Sequence, residues 1–196
     1  YGLERRQAVL MAIGTELMSR AEELGTLLSR EEGKPLAEGK GEVYRAGQFF
    51  TYYAHEVLRQ LGENADSVRP GVEVDIRREP VGTVAVISPW NFPCAIFIGM
   101  AAAPIVAGNC VIVKPAEDAG LIAGFMVDIM REAGLPAGVL QFLPGVGKEV
   151  GEYLVNHART RFITFTGSRA VGLHINRVAA DVKPGQKWIK RVIMEL

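Results

Sequence analysis

Cysteine is nearly absent from this chain: Cys94 and Cys110 are the two thiols in 196 residues. Two cysteines cannot staple a chain of this length, so a reducing, cytoplasmic setting is expected. Histidine is as scarce. His55, His157 and His174 lie far apart in sequence, and neither a structural zinc site nor any other metal is expected. An excess of either charge is also missing, with 22 Lys+Arg against 22 Asp+Glu. That balance excludes a generic binder of nucleic acid or acidic membrane, which needs a basic surplus to meet phosphates. The N-terminus has no secretory h-region, because Tyr1–Gln7 leads into a charged amphipathic stretch. Uninterrupted apolar runs are rare too. The nearly uncharged segment 94–113 is long enough to suggest a membrane span. Pro104 interrupts it and Gly108-Asn109 marks a turn, so it reads as a buried helix followed by a buried strand.

What is present is a globular composition, 48% hydrophobic and 22% charged. A chain of this size buries about two thirds of its unfolded surface. It begins at Tyr1 rather than Met and stops at Leu196 in an apolar run, so it is expected to be a piece of a longer protein.

Two long helices are predicted first. Leu10, Ile13, Leu17, Ala21, Leu24 and Leu28 recur at three- and four-residue steps, and Gly33 and Pro35 close the pattern. Val43, Ala46, Phe50, Ala54, Val57 and Leu61 mark the second helix, with Phe49, Phe50, Tyr52 and Tyr53 read as core aromatics. A polar loop over 62–70 precedes a period of two, Val72, Val74 and Ile76 alternating with charged residues, which predicts a half-buried strand. From Val81 onward strands and helices alternate. The predicted strands are 84–87, 111–114, 139–143, 162–165 and 190–196, and the helices 94–107, 121–133, 149–156 and 170–180. This pattern predicts an α/β fold, a Rossmann-like parallel sheet covered by helices.

In such sheets ligands sit beyond the carboxyl ends of the strands. The segments there are Ser88-Pro89-Trp90-Asn91-Phe92-Pro93, Lys114-Pro115-Ala116-Glu117, Pro144-Gly145-Val146-Gly147 and Thr166-Gly167-Ser168. Thr166–Gly172 follows a strand and opens a helix, so its N–H groups suit a pyrophosphate, although plain N-capping by Ser168 also accounts for the spacing. Gly145, Gly147 and Gly151 match a dinucleotide fingerprint poorly, lacking the acidic partner downstream. Lys114 and Glu117 suit a ribose diol, or equally a solvated ion pair. Cys94 and Cys110 lie in apolar runs and read as buried, inert thiols.

Together, Val86-Ile87-Ser88-Pro89-Trp90-Asn91-Phe92-Pro93, Gly108-Asn109-Cys110-Val111-Ile112-Val113-Lys114-Pro115-Ala116-Glu117, Phe165-Thr166-Gly167-Ser168 and Met194-Glu195-Leu196 resemble the NAD(P)-dependent aldehyde dehydrogenase superfamily. The last resembles the start of that family's Glu-Leu-Gly-Gly motif. Segments 165–172 and 182–191 are similar to 1-pyrroline-5-carboxylate (glutamate semialdehyde) dehydrogenases, whereas 31–82 is more similar to 2-oxoglutarate-semialdehyde dehydrogenases.

The resemblance implies a chemistry. A cysteine thiolate attacks the aldehyde, a hydride leaves for the nicotinamide, and the thioester is hydrolysed. Asn91 is then expected to donate to the oxyanion, and Glu195, taken to lie on a largely buried strand, to act as base for the hydrolytic water. Cofactor contacts are expected from Ile87, Ser88, Pro89, Trp90, Lys114, Glu117, Gly145, Gly147, Thr166, Gly167, Ser168, Gly172 and Leu196. NAD is expected, with NADP possible; Glu117 should repel a 2′-phosphate. The family's nucleophilic cysteine lies beyond the Glu-Leu-Gly-Gly motif. Residues 1–196 are therefore expected to be the cofactor-binding part alone, inactive by itself, with 62–80 an oligomerisation hairpin and the longer parent a homo-oligomer. The alternatives are a non-catalytic nucleotide-binding module and a scaffold that kept the fold.

Overall fold

The computed structural model describes residues 1–59 and 62–196. Helices α1 (Leu3–Ser19), α2 (Ala21–Glu32) and α3 (Leu36–Glu56) come first, then a hairpin of β1 (Glu63–Asp66) and β2 (Glu73–Ile76). The remainder alternates: β3 (Thr83–Ile87), α4 (Ala95–Val106), β4 (Cys110–Lys114), α5 (Gly120–Glu132), β5 (Leu140–Phe142), α6 (Glu152–Asn156), β6 (Thr160–Thr166), α7 (Arg169–Ala180) and β7 (Arg191–Glu195). Strands β3 to β7 form one parallel sheet in the order β5-β4-β3-β6-β7. The expected α/β class is the observed one.

The sheet is covered on both faces, which is why β3 and β4 are almost continuously apolar. Val84, Val86, Val111, Val113 and Leu140 pack into a large core with α1 to α5. Ala85, Ile87, Ile163 and Phe165, pointing the other way by the two-residue period, pack on Leu154 and Val155 of α6 and Ile175 and Ala179 of α7. Leu10, Ile13, Leu17, Leu24, Leu28 and Phe50 are all at most 1% exposed, so the predicted helical faces are the buried ones. Each such side chain contributes about 1.5–3 kcal/mol relative to exposure.

Five expectations need correction. The first long helix is two: Arg20 leaves helical geometry at φ −100° and ψ 14°. Ser19 Oγ donates back to the Glu16 carbonyl at 2.8 Å, a local bond that competes with the helical ladder. The second helix ends at Glu56, followed by a tight turn over Val57–Arg59, and Leu61 lies outside the described residues. A strand, β1, lies within the expected polar loop. It pairs antiparallel with β2, and every residue of both strands is exposed, so β2 is not half-buried. Backbone pairing rather than an apolar face holds this hairpin together, hence no periodic signal in β1. Tyr52 is 59% exposed, unlike its core neighbour Phe50.

Helices α2 and α3 touch through backbone. A Cβ on Gly25 would lie 2.5 Å from Lys40 Cα and 2.6 Å from Lys40 N. Gly25→Ala is therefore expected to be net destabilising: overpacking costs about 1–3 kcal/mol, against about 1 kcal/mol gained in helix propensity. The check is the melting temperature of the full-length protein, which should fall. An unchanged or raised value would mean that the helices are not in backbone contact.

Candidate active site

The sheet register gathers the loops. Ile87 at the end of β3 pairs with Lys114 of β4 and with Phe165 of β6, while Thr166 pairs with Glu195 of β7. Segments 88–93, 114–117, 166–168 and 195–196 therefore leave the sheet at its carboxyl edge, where the strand order reverses beside β3. Ser88 is buried, and its N–H donates to the Lys114 carbonyl at 3.2 Å. Pro89 is half-buried, Asn91 is exposed, and Trp90 is 58% exposed.

Below this edge a groove of about 370 Å³ runs between α6 and α7. Ile87, Gly147, Gly151, Val155, Val171 and Ile175 line it, with Glu152 and His174 at its rim. His174 Nε2 and Glu152 Oε2 are 2.7 Å apart. That contact, with a hydrogen bond from Asn156, holds the Glu152 carboxyl below its usual range despite partial burial. Gly147 and Gly151 bound a wide π-type turn that begins in the Gly145–Gly147 loop. The expected continuous helix over 149–156 is this turn plus a single short helix. Gly145 itself is half-buried.

Lys114 and Glu117 stand beside that turn. Lys114 is buried, its Nζ donating to the Pro115 carbonyl at 2.9 Å and lying 3.6 Å from Glu117 Oε1. Glu117 Oε1 also accepts from Gly147 N–H, while about half of the side chain stays exposed. The geometry thus offers an apolar slot with a carboxylate and an ammonium at one end. That arrangement suits a flat ring with an attached diol.

On the other face, Met100, Thr166, Met194 and Glu195 share a groove of about 550 Å³ with Tyr53 and Phe162. Thr166 Oγ1 contacts Met100 Sδ at 3.7 Å, and Gly167 N–H donates to the Glu195 carbonyl at 3.2 Å. Ser168 accepts from Val171 N–H at 3.4 Å, so it does cap α7. Gly172 is buried against Leu196, whose Cδ2 fills the space a Cβ would need, and the space beside Gly167 is taken by the Phe165 ring.

Two expectations fail here. Glu195 is exposed, because β7 is an edge strand whose residues alternate between exposed and half-buried. Cys110 is exposed as well; it opens β4, pairing with Thr83 at the amino edge of the sheet. Cys94 is buried as expected, and burial, with Glu42 nearby, pushes its thiol well above the usual value.

Sequence reasoning missed Val155, Val171, His174 and Ile175. A valine three residues after the candidate capping Ser168 was the available signal for Val171. It also missed the turn between α2 and α3. There Lys34 Nζ donates to the Asn91 carbonyl, and Glu31 accepts from the N–H groups of Leu121 and Ile122 at 2.7 and 2.8 Å.

Known proteins share this fold. The sequence profile of the aldehyde dehydrogenase family matches residues 1–196. A 1-pyrroline-5-carboxylate dehydrogenase of Anoxybacillus flavithermus is 46% identical over 193 residues, covering 98% of this chain and 38% of that protein. A solved 1-pyrroline-5-carboxylate dehydrogenase from Thermus with bound NAD superposes with a TM-score of 0.90 at 43% identity, over 100% of this chain and 38% of that one. Proline utilization A from Bdellovibrio bacteriovorus gives a TM-score of 0.93 at 43% identity, over 100% of this chain and 20% of that one. The likeness to 1-pyrroline-5-carboxylate dehydrogenases thus includes the N-terminal helices as well as α7. This chain spans 38% of the length of the 1-pyrroline-5-carboxylate dehydrogenases it resembles. With profile, sequence and fold agreeing from the first residue to the last, the chain belongs to the aldehyde dehydrogenase family.

Proposed function

We propose that residues 1–196 are the cofactor-binding part of an NAD-dependent enzyme that oxidises a carboxylate-bearing semialdehyde, glutamate semialdehyde first among candidates, to the acid. The observation that carries this reading is that the loops bearing Asn91 and Thr166–Ser168 and the end of β7 at Glu195 all leave the sheet at its carboxyl edge, with the groove between α6 and α7 on one face of the sheet and the groove that holds Glu195 on the other. In this reading the adenosine lies in that groove against Ile87, Val155, Val171 and Ile175. Lys114 and Glu117 hold its ribose, and the helix start after Ser168 meets the pyrophosphate. NAD, when bound, accepts the hydride.

The chain's own groups serve the steps around that transfer. Asn91 donates its side-chain N–H to the oxyanion formed when a thiolate adds to the aldehyde carbon. Glu195 takes a proton from the water that adds to the thioester, and the thiol leaves with the acid as product. Burial, which holds the Cys94 thiol protonated, and the place of Cys110 at the opposite edge of the sheet argue against either as that nucleophile. In this reading the thiolate is supplied by a cysteine other than these two. The exposed apolar residues Val72, Val74 and Ile76 of the hairpin fit an oligomer contact in the full-length enzyme. A cytoplasmic site of action suits two free thiols. Among the described residues, no helix is long and apolar enough to cross a membrane.

NADH formation by the full-length protein tests the activity directly. Turnover is expected with glutamate semialdehyde and NAD, and weaker turnover with an aldehyde of similar length lacking the carboxylate. No NADH from any aldehyde overturns the reading. A narrower test is Glu117→Gln, which keeps an acceptor for Gly147 N–H but removes the charge. It is expected to weaken NAD and raise the NADP-to-NAD affinity ratio about tenfold, by relieving about 1.4 kcal/mol of like-charge repulsion. Calorimetric titration of both cofactors reads this out. An unchanged ratio returns Glu117 to the solvated ion pair.

A further inference from the structure

The peptide that carries Asn91 is tied to residues far from it in sequence. Lys34, in the turn joining α2 to α3, donates from Nζ to the Asn91 carbonyl at 2.7 Å. The same ammonium donates to Glu42 Oε2 on α3 and lies 4.2 Å from the centre of the Phe92 ring. Glu32 Oε2 is 2.9 Å from Nζ, near enough for an ion pair but off the hydrogen-bonding direction. The other oxygen of Glu42 accepts from the N–H groups of Cys94 and Ala95 at 2.8 and 3.1 Å, at the start of α4. One buried pair thus grips the loop at both ends, the ammonium at Asn91 and the carboxylate at α4. The Lys34 side chain is 7% exposed and that of Glu42 is 1% exposed.

Burial opposes the charge on Lys34, but Glu42 and Glu32 outweigh it and hold its pKa above the usual lysine value. Lys34 is therefore charged at neutral pH. A buried ion pair contributes little net stability compared with apolar side chains of the same size. What this one does supply is geometry.

We infer that Lys34 and Glu42 are positioning residues for aldehyde oxidation, fixing the Asn91–Cys94 backbone so that the Asn91 amide points at the developing oxyanion. This rests on the oxyanion role proposed for Asn91. With the Asn91 carbonyl held at one end and the helix start at the other, the loop has little freedom to swing its side chain. A displacement of an ångström at such a donor costs on the order of 100-fold in rate.

The test uses the full-length enzyme carrying Lys34→Met together with Glu42→Gln. The amide oxygen of the second change still accepts from Cys94 and Ala95, while the tie to Asn91 is lost and no lone charge is left on that pair. In this variant kcat is expected to fall about 10- to 100-fold, with the NAD dissociation constant within about twofold of wild type. In an Asn91→Ala background the same two changes should lower kcat by less than about threefold, because both act through one amide. An ordinary structural role would cost the same in both backgrounds. Wild-type kcat in the Lys34/Glu42 variant, or an undiminished loss in the Asn91→Ala background, overturns the inference. If the double variant does not fold and bind NAD, Lys34→Arg is compared across the same backgrounds, since a planar guanidinium cannot reproduce the ammonium's contacts. Wild-type kcat in Asn91→Ala alone overturns the oxyanion reading and this inference with it. An impaired Asn91→Ala beside an unimpaired Lys34/Glu42 variant overturns the inference only.

Discussion

Asn91→Ala in the full-length enzyme is expected to lower kcat by about 100- to 1,000-fold, the usual worth of one oxyanion donor, while leaving NAD affinity nearly unchanged. The structure explains why the two effects should separate. Lys34 holds Asn91 through its backbone carbonyl, and Glu42 holds the following helix start through backbone N–H groups. None of these ties involves the Asn91 side chain. Among the described residues its amide has no hydrogen-bond partner, and the residue is exposed. Truncation therefore removes an exposed donor without loosening the loop, and the groove between α6 and α7 is built from other residues. Steady-state kinetics with calorimetric NAD titration check this. A loss below about threefold with chemistry rate-limiting would remove Asn91 from the oxyanion site. A matching loss of NAD affinity would mean instead that Asn91 is a structural or cofactor residue.

The parts of this fold that were readable in the sequence are those whose signal is local. Val84–Ile87 and Val111–Val113 are apolar throughout because both faces of β3 and β4 are covered, and the apolar runs locate them directly. The spacing of Leu10, Ile13 and Leu17 shows its buried face in the same way. Strand β1 was not readable. Glu63-Asn64-Ala65-Asp66 has no apolar face, and only its pairing with Glu73–Ile76 makes it a strand. The break at Arg20 was hidden for a related reason, since the periodicity of Leu17 and Leu24 runs straight through it. Glu195 was misjudged on burial because an apolar stretch does not show whether its strand lies at the centre or the edge of a sheet.

The site divides along the same line. The loops after β3, β4 and β6 could be found because topology places ligands there. The residues that hold those loops could not. Lys34 meets Asn91 across 57 positions, Glu42 meets Cys94 across 52, and Glu31 meets Leu121 across 90. In sequence, Glu31-Glu32-Gly33-Lys34 is only a charged helix end with a glycine stop. In the structure that turn braces two of the carboxyl-edge loops, and its apparent surface charge becomes buried pairing once α3 folds back along α2. Gly25 and Gly39 permit that return by letting the two backbones touch.

Glu195→Gln is expected to produce the largest kinetic change, and the change should be confined to one stage of the reaction. Addition of the thiolate and loss of hydride need no proton acceptor at this position, whereas hydrolysis of the thioester does. Rapid mixing of the full-length variant with NAD and aldehyde should therefore show a burst of about one NADH per active site and then a slow steady state. The steady rate should lie about 100- to 10,000-fold below wild type, the range for a positioned general base. The fold should persist, because the ties of Glu195 to the sheet run through its backbone: it pairs with Thr166, and its carbonyl accepts from Gly167 N–H. The exposed residue lines the groove on the α4 face with Thr166 and Met194, where water can reach it. A burst slowed in step with the steady state would give Glu195 a part in activating the cysteine too. Unaltered turnover would reduce it to a carboxylate at the end of an edge strand, and the base for hydrolysis would then have to come from elsewhere in the enzyme.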